Sequence, residues 1–270
     1  MLNIFIPIFA LMNPETVAMQ SFIQTLLNSS IRFKMIKVEG GVFEMGGKSS
    51  LPVHKVQLRD FWIGELPVTQ ELWEAVMGKG KNESNFKGKR RPVENVSWVK
   101  ISEEFLPALN RFTESMRPVG TIYSLPTEAQ WEYAARGGKL SKGFEYAGSY
   151  KLDDVGLYDK NSHMETKPVG LKLPNELVLY DMSGNVWEWC CDWYDSYYYE
   201  FCKVRGIALD PSGPKDGKDR ILRGGSWANY AQYCQLPHRN FDLPASCNDY
   251  FGFRLVLVPK PAHESPVCFQ

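Results

Sequence analysis

The side chains best suited to specific recognition chemistry lie close to the C-terminus, between Ala228 and Phe251. This 228–251 run mixes tyrosine and phenylalanine with asparagine, aspartate, serine and proline. Its turn-forming residues interrupt any helical or strand period. Rigid rings supply contact area and small polar groups adapt their hydrogen bonds, as in an antibody paratope. The composition therefore indicates a binding surface, and the alternative is a buried irregular loop that packs its rings into the core.

The 228–251 run is also unusual in what it omits. It contains no lysine, glutamate, methionine or tryptophan, although lysine and glutamate are frequent in the rest of the chain. Apart from Gln232 and Gln235, every residue type present has a codon that ends in a pyrimidine. Mutation of asparagine codons (AAC or AAT) at their adenines produces this restricted set.

The other nucleophilic and metal-binding side chains form no recognisable site motif. The histidines are dispersed along the chain, at His54, His163, His238 and His263. Neither a C-x-x-C pair nor zinc-site spacing is present, and a G-x-S-x-G nucleophile elbow is also missing. Cys190 and Cys191 adjoin a tryptophan-rich segment and are predicted to lie in the core. The sequence does not decide whether a disulfide forms among the six cysteines.

The 228–251 run is predicted to lie between two strands. Residues 220–223 lead into it, and Phe253, Leu255 and Leu257 alternate with other residues after it. Trp227 and Phe253 are predicted to be core anchors. Cys234 is predicted to be buried framework.

Local signals predict the other elements of the scaffold. Thr69 caps a helix that stops at Gly78, and a Pro-Thr cap and a glycine stop bound another over residues 127–137. Between them, a longer helix over residues 97–116 has its predicted buried stripe at Phe105, Leu106, Leu109 and Phe112. Strands are predicted over residues 35–46, around a Gly-Gly turn, and over residues 53–63.

Several motifs together resemble two related families. The C-terminal set resembles the variable region of diversity-generating retroelement variable proteins, and it comprises Gly224-Gly225-Ser226-Trp227, Ala231-Gln232, Cys234, Arg239-Asn240, Pro244 and Gly252-Phe253-Arg254. The remainder resembles the formylglycine-generating-enzyme (sulfatase-modifying factor) family, at Ser124–Gly138, Lys167–Gly170 and Leu179–Trp189. The resemblance runs from about residue 35 to residue 258.

The resemblance implies an α+β, C-type-lectin-like fold of the formylglycine-generating-enzyme type, with an irregular C-terminal variable region over about residues 224–254. It also implies a non-enzymatic receptor or display protein whose variable region is diversified through adenine mutagenesis. The implied ligand-binding residues are Ala228, Asn229, Tyr230, Tyr233, His238, Phe241, Asp242, Leu243, Ala245, Ser246, Asn248, Asp249, Tyr250 and Phe251. The expected partner is an unknown protein or cell-surface ligand.

The alternative function is a formylglycine-generating-type oxidase, or a degenerate relative, acting on a peptide cysteine. Those relatives bind copper through two cysteines, in the pattern GGSxxC followed by a cysteine five residues later. In this sequence the first position is Asn229 and the second is Cys234, so the pair of soft thiolate ligands is broken. No catalytic residue and no cofactor are expected.

Calcium is the one metal that the resemblance leaves open. Related domains hold calcium near the motif that is Gly184–Trp189 here, so Asn185 and Glu188 are the weak candidates for its oxygen ligands. The alternative is that Asn185 ties a turn and Glu188 pairs locally.

Length and charge bound the remaining predictions. With 270 residues, 44% hydrophobic residues and a net charge of zero, the chain can bury one core, and its charge does not favour nucleic acid. We divide it into a 1–34 appendage, a 35–258 domain and an extended 259–270 tail. Residues 15–27 have near-helical apolar spacing, with a degenerate export or anchoring segment as the alternative. We expect a monomer at the cell surface or secreted.

Overall fold

The computed structural model describes residues 21–27 and 29–260. Within them, the mixture of helices and sheets confirms the predicted α+β class. The strands are β1 (Ser21–Thr25), β2 (Arg32–Val38), β3 (Gly41–Gly47), β4 (Ser50–Leu58), β5 (Phe61–Gly64), β6 (Thr121–Ser124), β7 (Trp187–Trp193), β8 (Ile207–Leu209), β9 (Arg220–Arg223), β10 (Arg239–Asp242), β11 (Phe251–Phe253) and β12 (Val256–Pro259).

A five-stranded antiparallel sheet forms the base of the fold, in the order β1-β2-β5-β12-β6. It brings β12, near the C-terminus, between β5 and β6. A separate three-stranded sheet has the order β3-β4-β8, and in it β8 pairs parallel with β4.

The 228–251 run is held by a four-stranded sheet in the order β10-β9-β7-β11. Strand β9 leads into the run, β10 lies inside it and pairs antiparallel with β9, and β11 follows it and pairs parallel with β7. The strand predicted over residues 220–223 is present as β9. The strand predicted after the run is divided, because residues 251–253 form β11 in this sheet and residues 256–259 form β12 in the five-stranded sheet.

Two of the predicted helices and their caps are confirmed. Helix α1 (Gln70–Met77) begins after Thr69, whose hydroxyl accepts the Leu72 N–H. The third predicted helix also carries a complete capping box, formed by Thr127 and Gln130 at its start.

The longer predicted helix is interrupted. It consists of α2 (Trp98–Lys100), a π-helical segment over residues 101–105 and α3 (Leu106–Thr113). Phe105 and Leu109 are buried as predicted, but Phe112 is exposed, so its place in the buried stripe is wrong. The later helices are α4 (Glu128–Ala135), α5 (Leu152–Val155) and α6 (Tyr198–Val204).

The aromatic core joins the helices to the site-bearing sheet. Trp73 stacks on Phe105 with ring centroids 5.0 Å apart, and Phe253 meets both rings edge-on. Phe253 is fully buried, which confirms its predicted anchoring role. The strand after the 228–251 run therefore ends in the core.

The predicted N-terminal helix is wrong where the structure describes it. Residues 21–25 form β1, which pairs with β2, and the Tyr123 hydroxyl donates to Gln24 Oε1 at 2.9 Å. Because β1 and β2 belong to the main sheet, the domain begins before the predicted boundary at residue 35. Residues 1–20 and 261–270, which carry the rest of the appendage and tail predictions, lie outside the described residues.

No helix within residues 21–27 and 29–260 combines the length and apolar character needed to cross a membrane. In the same part of the chain no disulfide joins one cysteine to another.

Candidate ligand-binding surface

Between β9 and the 228–251 run the backbone passes through two positions, 224 and 225, whose conformation favours glycine. Gly224 and Gly225 have φ angles of 100° and 76°, in the left-handed region that L side chains rarely adopt. A Cβ on Gly225 would come within 2.5 Å of the Cys234 sulfur. Cys234 is fully buried beneath this turn, which confirms its predicted framework role.

Two arginines, the fully buried Arg223 and the half-buried Arg239, anchor the run to helix α4. Arg223 donates to the carbonyls of Leu236, Pro237 and His238 and forms an ion pair with Glu132. Burial acts to raise the pKa of Glu132, but the nearby guanidiniums outweigh it and hold that pKa below its usual value.

The second arginine holds strand β10. Arg239 Nε and Nη2 donate to the two carboxylate oxygens of Glu128 at 2.7 and 2.9 Å, in a bidentate pair. The Arg239 guanidinium also lies 4.0 Å from the ring centroid of Tyr199. Framework side chains therefore set the path of the run, and most of its other side chains stay at least partly exposed.

Most of the predicted ligand-binding residues reach solvent. Ala228, Tyr230, Phe241, Leu243 and Ala245 are exposed. Half-buried positions are Asn229, Tyr233, His238, Asp242, Ser246, Asn248, Asp249 and Tyr250. Within the described residues, the run is thus neither a wholly exposed loop nor a wholly buried one.

Phe251 was predicted as a binding residue, and that prediction is wrong. Only 1% of its surface is exposed, and its ring meets Trp189 edge-on at 5.1 Å. The physical reason is that Phe251 opens strand β11, which pairs with the buried strand β7. Trp227 shows the opposite error, because this predicted core anchor is only half-buried.

The rings of the run differ in how freely they face solvent. Tyr230 is 67% exposed and Phe241 42% exposed. Tyr233 meets the His238 ring edge-on at 5.0 Å, and both Tyr233 and Tyr250 pack partly against the core. Burial, followed by the charge of Arg223, lowers the pKa of His238 below its usual value. Tyr230 and Phe241 are therefore the rings best placed to meet a ligand.

Several polar side chains of the run are already engaged locally. Asp242 accepts the Ser246 hydroxyl at 2.6 Å and the Leu243 N–H at 2.7 Å. Asp249 accepts a hydrogen bond from Asn85 Nδ2 at 3.1 Å. These bonds order the loops that carry the exposed side chains, which lowers the entropy cost of binding.

Sequence reasoning missed the framework residues that contact the run. The Tyr194 ring stacks on Phe241 with centroids 3.8 Å apart, and Phe86 meets Trp227 edge-on at 5.2 Å. Tyr194 belongs to the tyrosine-rich segment after β7, whose composition was the only signal for this contact.

The position of the family's copper site does not fit a copper ion here. The Asn229 side-chain oxygen accepts the Ser226 hydroxyl at 2.5 Å, where relatives would present a thiolate. Burial raises the pKa of the Cys234 thiol to about 12, so it stays protonated at neutral pH. One buried thiol and one amide do not supply the soft pair that monovalent copper requires.

The calcium candidates are engaged with protein groups. Asn185 Oδ1 accepts the Lys167 N–H at 3.1 Å. Both carboxylate oxygens of Glu188 accept hydrogen bonds from Arg254, and the Trp131 indole also donates to Glu188. These contacts favour the alternative, in which Asn185 holds a turn through hydrogen bonds and Glu188 forms an ion pair with another side chain.

Comparisons with known proteins agree with both resemblances. Treponema denticola variable protein 1 superimposes with a TM-score of 0.77 at 31% identity, over 89% of this chain and 99% of that one. The chain is 34% identical over 265 residues to a protein named chaperone protein LppX from Paenibacillus barcinonensis, covering 82% of this chain and 88% of the relative. It is 30% identical over 293 residues to the formylglycine-generating enzyme of Streptomyces coelicolor, covering 81% and 87%.

The similarity to the variable protein confirms the resemblance to diversity-generating retroelement variable proteins and the predicted C-type-lectin-like fold. The model of the sulfatase-modifying factor enzyme 1-like domain matches residues 27–258. The chain therefore belongs to the sulfatase-modifying factor enzyme 1-like family.

Proposed function

We propose that this protein is a non-enzymatic receptor that binds a protein or cell-surface ligand through its 228–251 run. A retroelement diversifies the run by adenine mutagenesis, and the protein acts as a monomer at the cell surface or after secretion. The observation that carries the proposal is the contrast between anchored and exposed side chains in and beside the run. Within the run Arg239 and Cys234 are held by the framework, as is Arg223 just before it, whereas Tyr230 and Phe241 face solvent.

This division makes the surface tolerant of sequence change. An exposed side chain such as Tyr230 or Leu243 can be replaced without opening a cavity, because few buried atoms depend on it. The buried positions, by contrast, hold the path of the backbone. A surface built in this way can acquire new ligands while the fold stays the same.

The main alternative is oxidation of a peptide cysteine, as in the formylglycine-generating relatives. Asn229 stands where those relatives have a cysteine, and the pKa of the Cys234 thiol is raised. Both observations argue against oxidase activity. Purified protein supplied with monovalent copper and oxygen should leave a Cys-x-Pro-x-Arg peptide unchanged. Mass spectrometry would detect formylglycine by the mass change that accompanies replacement of the cysteine CH2–SH group by an aldehyde CH=O. Catalytic turnover that disappears in Cys234→Ser would overturn the non-enzymatic proposal.

Diversification is tested separately by deep sequencing of the gene from a growing population. We expect substitutions concentrated in the codons for residues 228–250, at positions that are adenine in an Asn-rich near-copy beside a reverse transcriptase gene. The codons for residues 35–223 provide the internal control. Equal substitution rates in the two segments, or a genome without the near-copy, would contradict the proposal.

A further inference from the structure

The tyrosine-rich segment over residues 194–218 continues the exposed aromatic surface beyond the 228–251 run. Tyr194 and Phe241 stack with an interplanar angle of 19°. The next residue, Asp195, begins the lining of a separate cleft. The cleft therefore begins one residue after Tyr194, whose ring stacks on the proposed binding surface.

The aromatic cleft, as we name it, has a volume of about 400 Å³. Its lining includes Asp195, Tyr197, Tyr198, Phe201, Pro214 and Lys215. Tyr197 is 79% exposed and Phe201 is 49% exposed. This volume falls in the range of pockets that bind small molecules or single anchor groups.

Two polar side chains of the aromatic cleft, Asp195 and Tyr198, are engaged within the protein. Asp195 Oδ1 accepts the Tyr197 backbone N–H at 2.6 Å. The Tyr198 hydroxyl is hydrogen-bonded to Cys202, and burial raises its pKa. The Arg205 guanidinium lies 4.1 Å from the Phe201 ring centroid and so helps to hold that ring. What remains for a ligand is mainly ring surface and proline methylenes, together with the Tyr197 hydroxyl and the Lys215 ammonium.

We infer that the aromatic cleft receives a large apolar side chain of a polypeptide ligand, alongside the contacts made by the 228–251 run. Aromatic side chains in well-packed pockets concentrate binding energy at protein interfaces. A sugar would instead require hydrogen-bonding groups for several hydroxyls. With Asp195 Oδ1 and the Tyr198 hydroxyl engaged, the lining offers chiefly ring and proline surface. The inference rests on the proposed binding function and adds the chemistry of the ligand.

The residues that line the aromatic cleft are not among those predicted to vary. Residues 194–218 lie outside the 224–254 segment that resembles a copied variable region. The cleft would stay constant while the 228–251 run changes. Ligands of different variants would then share an apolar anchor group and differ in the surface around it.

The test uses the full chain and a probe of the expected chemistry, N-acetyl-L-tryptophanamide, followed by two-dimensional NMR. We expect saturable shifts of the Tyr197, Phe201 and Lys215 amide signals. Phe201→Ala should weaken the binding about tenfold or more. Val204→Ala is the matched control, because Val204 lies on the same helix, is 79% exposed and is outside the cleft lining. It should change the affinity by less than about twofold.

Comparison with N-acetyl-D-glucosamine identifies the class of ligand. Shifts of the same signals by the sugar, without shifts by the tryptophan amide, would overturn the inference. So would the absence of shifts with either probe, or equal loss of binding in the two variants. The residues that line the cleft lie between 195 and 215, outside the 228–251 run. These outcomes are therefore distinguishable from failure of the proposed function.

Discussion

Two aromatic residues of the same run have opposite surroundings. Tyr230 is 67% exposed, whereas Phe251 is 1% exposed and packs edge-on against Trp189. Both were predicted to contact the ligand, because composition does not distinguish a ring that faces solvent from one that opens a buried strand. The tertiary structure makes one a binding residue and the other a core residue.

The different surroundings predict different costs of truncation. Phe251→Ala should lower the free energy of unfolding by ~3–5 kcal/mol, since it leaves a cavity beside Trp189. Tyr230→Ala should change it by less than ~0.5 kcal/mol. Chemical denaturation of both variants measures these values. If Tyr230→Ala were as costly as Phe251→Ala, the run would be core and its display role would be excluded.

Strand β10 is held in place by an ion pair with a different element. Arg239 on β10 binds both oxygens of Glu128 on helix α4, and the side chains are 11% and 3% exposed. Burial acts to lower the pKa of Arg239, but the charge of Glu128 outweighs it and raises that pKa. The pair therefore fixes the strand on which Phe241 is presented.

Removal of the arginine should destabilise the protein because it leaves a buried carboxylate poorly paired. Arg239→Met should lower the free energy of unfolding by ~3 kcal/mol or more. Lys139→Met is the matched control, since the Lys139–Glu39 pair is half exposed on both sides, and should cost less than ~1 kcal/mol. Urea unfolding at neutral pH compares them. Similar costs for the two variants would show that the Arg239–Glu128 pair does not hold the strand.

Buried carboxyl groups make the stability of the whole molecule depend on pH. Burial raises the pKa of Glu94 to about 7 and that of Asp192 to about 7, from ordinary values of 4.5 and 3.8. The folded protein then holds protons that the unfolded chain releases. Because the folded state binds more protons, these two groups lower the stability as pH rises from about 4 to about 7.

Glu94→Gln tests this dependence at one residue. Glu94 Oε1 accepts the Phe86 N–H at 2.8 Å, which a glutamine oxygen can also do, and Oε2 is buried without a hydrogen-bond partner. At pH 8 the variant should be more stable than the parent by on the order of 2 kcal/mol, and at pH 4 the difference should shrink. Thermal unfolding across this pH range provides the measurement. A difference that is constant with pH would contradict a raised Glu94 pKa.

Local signals in the sequence determined the capped helices and the strand that leads into the 228–251 run. Thr69 and Thr127 mark helix starts because a cap depends on residues only two or three positions away. The family motifs likewise identified the fold and the displaced copper ligand at Asn229, since these depend on residue identity in order along the chain. The N-terminal prediction failed because apolar spacing near a helical period did not include the pairing of β1 with β2.

Only the tertiary structure decided which displayed rings meet solvent and which framework rings join them. Phe251 is buried because β11 pairs with β7, which lies more than sixty residues earlier in the chain. Tyr194 reaches Phe241 across the four-stranded sheet, and Arg239 reaches Glu128 on a helix. Such contacts depend on how distant strands and helices pack, and neither composition nor periodicity records that packing.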